Sequence, residues 1–257
     1  SVNFKGLNRS KTTGRLLIPE KAQKPRMILL FHDYFRRNHY LNYDLDPSVG
    51  YFFLNLKGHE MLNFEQSEEE RKTPGYMVDN ILDINSYYVR EVFLDAYRAI
   101  DMLRLRSFID MSSVGVIGKG FGAAMALFAA SRSGRVRALY LDTPSFIYLP
   151  LSQNLSKSDA ANEINAFIEQ HRTKSKQVKK NLTYFDALNF TDMITCPTLV
   201  NVGFKDPYSP PQCAFGLFNR LLCDKTMEAY PDEGNEAGGS KQFQKALKWM
   251  IEIINSD

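Results

Sequence analysis

The chain is short of the residues that many chemistries require: it has three cysteines and four histidines among 257 residues. Cys196, Cys213 and Cys223 form no Cys-x-x-Cys and cannot all pair. This excludes a disulfide framework and fits core packing in a reducing, cytoplasmic compartment. His32, His39, His59 and His171 show no spacing that would gather metal ligands, so no metal and no cofactor are expected. No apolar run approaches the ~20 residues of a membrane span. The opening Ser1-Val2-Asn3-Phe4 carries no signal-peptide pattern. The N-x-[ST] triplets at Asn8, Asn154, Asn181 and Asn189 would matter only in a secretory route and carry little weight. The net charge of +3 is small. Its densest basic run, Arg172 to Lys180, lies in a polar helical stretch and reads as a solvated face. Neither nucleic acid nor membrane is expected as a partner, and the protein is expected to be soluble.

What is present is the alternation of an α/β protein. Arg26–His32 and Tyr51–Leu56 are continuous apolar runs of the kind buried on both faces of a parallel sheet, and Gly14–Pro19 reads as a further strand. From Ser86 to Arg104, residues Val89, Val92, Phe93, Ala96, Ile100 and Leu103 recur at helical spacing, which predicts a crossover helix. A strand (Ser113–Ile117), a helix (Ala123–Ala130) and a strand (Val136–Leu141) follow. A polar helical insertion over the sheet edge is expected at about 152–181. The chain then gives a strand at Thr198–Gly203, a helix at Pro211–Leu222, a short strand at Thr226–Tyr230 and a closing amphipathic helix at Lys241–Ile254. The 44% hydrophobic composition supports a substantial core. A single domain over residues 1–257 is expected, built on a mostly parallel, doubly wound sheet with helices on both faces.

The most informative stretch is Gly118-Lys119-Gly120-Phe121-Gly122, between a strand and a small-residue helix. It has the form of the nucleophile elbow G-x-S-x-G, with glycine where the serine would stand. Glycine tolerates the positive φ of that turn, so the backbone shape is expected to persist without the attacking hydroxyl. Hydrolases of this type continue with an acid and then a histidine, each after a strand. Asp206, in Gly203-Phe204-Lys205-Asp206-Pro207, takes the acid position, with a turn cap as the plainer alternative. After the next strand the chain reads Gly234-Asn235-Glu236, and asparagine cannot take up a proton near neutral pH.

Pro74-Gly75-Tyr76-Met77-Val78-Asp79-Asn80, Tyr184-Phe185-Asp186-Ala187-Leu188 and Val202-Gly203-Phe204-Lys205-Asp206 resemble the acetyl xylan esterase and cephalosporin C deacetylase group of α/β-hydrolases, carbohydrate esterase family seven. The resemblance runs over nearly the whole chain and implies the α/β-hydrolase fold. The family's elbow usually reads Gly-Gly-Ser-Gln-Gly and its last loop Gly-His-Glu, so Gly120 and Asn235 are departures while Asp206 is kept. The family's oxyanion hole uses backbone N–H groups that map onto Tyr34, in Phe31-His32-Asp33-Tyr34 where the family has Phe-His-Gly-Tyr, and onto Phe121. Lys119 and His59, the latter in an altered Lys57-Gly58-His59-Glu60 turn, are expected at the pocket rim. The family commonly forms a hexameric ring, which implies a homo-oligomer. The sequence reads as opening near the family's first strand, where members usually carry an additional N-terminal segment, and the ring is expected only where that segment is present.

The resemblance thus implies a non-catalytic binding or scaffold protein that retains a hydrolase frame and binds an acetylated carbohydrate or small acyl ligand. The alternative is a carboxylic ester hydrolase with a non-standard constellation, for example His59 acting on water. Cys213, at a helix start where the dipole lowers a thiol pKa, reads first as a core residue.

Overall fold

In the computed structural model, residues 2–5, 11–35, 43–59 and 75–256 are described; Asn8, His39 and Glu60 lie outside them. The strands are β1 (Val2–Lys5), β2 (Lys11–Leu17), β3 (Arg26–Phe31), β4 (Gly50–Leu54), β5 (Asp110–Lys119), β6 (Val136–Asp142), β7 (Thr198–Gly203) and β8 (Lys225–Tyr230). They form one eight-stranded sheet in the order β1-β2-β4-β3-β5-β6-β7-β8. β1 and β2 are antiparallel additions, and every pairing from β4 through β8 is parallel. The apolar runs of β3, β4 and β7 are buried along almost their whole length because helices cover both faces.

On one face, α1 (Tyr88–Arg104) and α2 (Phe121–Arg132) pack with Phe31, Val116 and Leu141 in the larger core. The apolar spacing of α1 is the reason it lies there, with Val89, Val92, Phe93, Ala96, Ile100 and Leu103 all buried. On the other face, α7 (Gly239–Asn255) lays Phe243, Ala246, Leu247, Met250 and Ile254 against Ile28, Leu30 and Ile117. Between β7 and β8 runs α6 (Pro211–Arg220).

The chain between β6 and β7 forms α3 (Leu149–Leu155), α4 (Asp159–Gln170) and α5 (Ser175–Thr183). Rather than covering a sheet edge, α4 reaches the carboxyl end of β3, an interior strand, where Glu163 meets Tyr34. The polar composition belongs to outward faces, such as the exposed Lys176, Lys179 and Lys180 of α5. No helix among the described residues is long and apolar enough to cross a membrane.

Candidate active site

The elbow is built by β5 running into α2. Gly120 sits between them at φ 54°, ψ −120°, a conformation costly for a residue with a side chain. Its N–H donates to the Asp142 carbonyl at the end of β6, and its carbonyl accepts from Ser145 N–H, so the turn is pinned from two directions. The flanking glycines are required by space: a Cβ at Gly122 would lie 2.2 Å from the Phe31 carbonyl oxygen, and one at Gly118 would lie 2.2 Å from the Gly122 carbonyl oxygen.

Asp206 and Asn235, on the loops after β7 and β8, are brought together. The Asn235 amide donates from Nδ2 to Asp206 Oδ2 at 2.9 Å. Asp206 Oδ1 accepts from the backbone N–H groups of Tyr208 and Ser209 at 2.8 and 3.0 Å, so the residue caps its turn as well as facing Asn235. Burial raises the Asp206 carboxyl pKa against the lowering effect of these hydrogen bonds. Asn201, buried in β7, ties the surroundings together: Oδ1 accepts from Thr143 N–H and Nδ2 donates to the Ala237 carbonyl.

Lys119 is largely buried, with its side chain 13% exposed. Its Cα is the register partner of Asp142 across the parallel β5–β6 pair, and its ammonium turns inward to the Asp142 carboxylate at 3.2 Å. It also donates to Thr143 Oγ1 and to the Asn235 carbonyl. His59 lies deeper than a rim position. It is 2% exposed, with its ring edge-on to Tyr34, and its Nε2 accepts from Phe35 N–H at 3.0 Å. Burial lowers its pKa to about 3, so the ring is neutral. His32 is buried too; its Nε2 accepts from Leu56 N–H, which leaves Nδ1–H to donate to the Asp33 carbonyl at 2.8 Å.

Tyr34 and Phe121 converge through their backbones. Both N–H groups donate to one acceptor, Asp33 Oδ1, at 2.8 and 2.7 Å. The Phe121 ring is fully buried against Phe146 and Phe93. Asp33 escaped the sequence reading because only backbone donors were considered in that turn. The available signal was Asp33 and Gly120 standing together at two points where the chain departs from the pattern it resembles. Glu163 escaped it as well. Its carboxylate accepts from the Tyr34 hydroxyl, from Gly75 N–H and from Met77 N–H at 2.9–3.1 Å, and burial raises its pKa.

Cys213 is a buried core residue whose thiol is pushed up to about 12 by burial. Beside the acid loop a cavity of about 10 Å³, room for one water, lies among Ser145, Phe146, Tyr208, Pro210 and Cys213. A cavity of about 580 Å³ lies within the helical insertion, lined by residues that include Leu149, Asn165, Ile168, Glu169 and Lys179. None of its lining residues belongs to the elbow or to the loops of Asp206 and Asn235. Among the described residues, no group of His, Cys, Asp and Glu is placed to hold a metal.

An elbow between β5 and α2, an acid after β7 and its hydrogen-bonded partner after β8 define an α/β-hydrolase. The chain belongs to the acetyl xylan esterase (AXE1) family, whose model matches residues 1–253. It is 27% identical over 187 residues to the acetyl esterase Axe7A of Xylanibacter ruminicola, which covers 68% of this chain and 41% of that protein. The chain therefore matches less than half the length of that relative. In fold it is similar to the acetyl xylan esterase of Paenibacillus sp. R4, with a TM-score of 0.84 at 24% identity over 98% of this chain and 82% of that one. Acetyl xylan esterase 1 from Thermoanaerobacterium sp. JW/SL YS485 gives 0.82 at 22% identity over the same shares.

Proposed function

We propose that this chain is a non-catalytic member of its family, a binding or scaffold protein that keeps the frame of a carboxylic ester hydrolase. The observation that carries the reading is the 2.9 Å hydrogen bond from the Asn235 amide to Asp206. The amide fills the place of an imidazole, yet it has no lone pair basic enough to accept a proton near neutral pH. Opposite it, Gly120 supplies no hydroxyl to be activated. His59, the base of the alternative ester-hydrolase reading, has its Nε2 engaged by a backbone N–H and is buried away from water.

The ligand class that the family suggests is an acetylated carbohydrate or small acyl compound. The proposed setting is the cytoplasm, which three free cysteines support. The test measures acetate release from an aryl acetate and from acetylated xylo-oligosaccharides, with calorimetry on the same oligosaccharides and the oligomeric state read by light scattering. Binding without turnover is the expected outcome. A triad lacking its members leaves at most about 10³–10⁴-fold acceleration over water, so acetate release at several turnovers per second would overturn the reading.

A further inference from the structure

The two N–H groups that would form an oxyanion hole are occupied by the protein itself. Asp33 Oδ1 accepts from Tyr34 N–H at 2.8 Å and from Phe121 N–H at 2.7 Å, the short range of bonds to an ionised acceptor. Phe121 is the first residue of the 12-residue α2, whose N-terminal end favours a negative group. The same carboxylate also takes the space above the elbow. A Cβ at Gly120 would lie 2.2 Å from Asp33 Cγ and Oδ1 and 2.4 Å from Oδ2, distances no pair of non-bonded atoms sustains. The Asp33 backbone is held on both sides: His32 Nδ1 bonds its carbonyl, and the adjacent Tyr34 is fixed through its hydroxyl to Glu163. The side chain is therefore delivered to the hole by a rigid turn, as a tethered anion whose effective concentration outweighs that of a free one.

We propose that Asp33 is an internal plug, filling both the oxyanion hole of Tyr34 and Phe121 and the volume that a side chain at position 120 would need, so that residues 33 and 120 form one exchanged pair. The proposal rests on the reading of this site as a non-catalytic hydrolase site. Its consequence is that a bound acetylated sugar is held by its ring and hydroxyl groups, since the seat for the acyl carbonyl oxygen is taken. It also means that a serine and a histidine alone do not restore chemistry.

The test is a four-member stability cycle on the full chain: parent, Asp33→Gly, Gly120→Ser and the double variant. Gly120→Ser must displace the carboxylate, and its melting temperature is expected to fall by about 2–12 °C, the range for overpacking in a domain of this size. Adding Asp33→Gly should return the part of that loss due to the clash, leaving the backbone strain of a side chain at φ 54°. If Asp33 were only a helix cap, Asp33→Gly would lower the melting temperature equally in both backgrounds, and that result would overturn the proposal. The second measurement adds Asn235→His. Asp33→Gly/Gly120→Ser/Asn235→His is expected to release acetate about 10²-fold faster than Gly120→Ser/Asn235→His, the scale of an oxyanion-hole donor gained or lost. No gain from Asp33→Gly would overturn the proposal. Acetate release by the parent chain would overturn the non-catalytic reading and leave the comparison with and without Asp33→Gly as it stands.

Discussion

Acidification should destabilise this protein through His59 over a window set by its burial. The ring is held neutral by burial, with a pKa lowered from 6.5 to about 3, and His32 beside it adds to the effect. Between those values the unfolded chain carries a proton that the folded chain does not, so stability falls as pH falls. The loss starts near pH 6.5 and ends near pH 3. Each pH unit inside the window removes about 1.4 kcal/mol, so His59 alone costs about 2.7 kcal/mol at pH 4.5 relative to pH 7. Glu163 and Asp206 act in the opposite sense, because their raised folded-state pKa values make them bind protons more tightly folded than unfolded. The histidine is isolated by comparing the parent with His59→Gln, whose amide oxygen can accept the Phe35 N–H. Urea unfolding at pH 7.0, 6.0, 5.0 and 4.5 should show the variant gaining on the parent by about 1.4 kcal/mol per unit below 6.5. A difference between the two that stays constant across that range would refute the assignment of a buried neutral ring.

Other outcomes follow from distances already given. Gly122→Ala places a methyl against the Phe31 carbonyl and should cost about 1–3 kcal/mol or more, seen as a lowered melting temperature, with no rescue by side-chain changes because the obstacle is backbone. Lys119→Met removes the ammonium from a carboxylate buried at the sheet end and should cost up to about 3–5 kcal/mol; adding Asp142→Asn should recover part of that loss in the same denaturant assay. Cys196 and Cys213, both pushed up to about 12 by burial, should resist a thiol reagent at pH 8 until the protein unfolds, as mass spectrometry of the labelled peptides would show.

The parallel sheet was legible because β3, β4 and β7 are apolar almost without interruption, and the elbow because a strand, three glycines and a small-residue helix occur in fixed spacing. β1 was not anticipated: Val2–Lys5 is four residues, and its place is set by antiparallel pairing with β2 rather than by its own pattern. Asp206 and Asn235 were readable from their positions after strands. Lys119 and His59 both lie deeper than their sequence neighbourhood suggests, for a common reason. A charged or titratable residue next to a loop reads as solvent-facing, yet the partners that draw each inward lie one strand or loop away, beyond the reach of local pattern: Asp142 for one, Phe35 for the other. Asp33 was hidden differently, since its importance lies in what its side chain blocks.

The clasp made by Glu163 has a bearing on the order of assembly. Its bonds to Tyr34, Gly75 and Met77 close stretches of 129, 88 and 86 residues. Closing such long loops is entropically expensive until intervening structure shortens them. The turn after β3 does not exist as a target until β3 lies between β4 and β5. Fastening of α4 to that turn is therefore predicted to follow formation of the sheet, so that amide exchange in α4 should be protected later than in β3 during refolding.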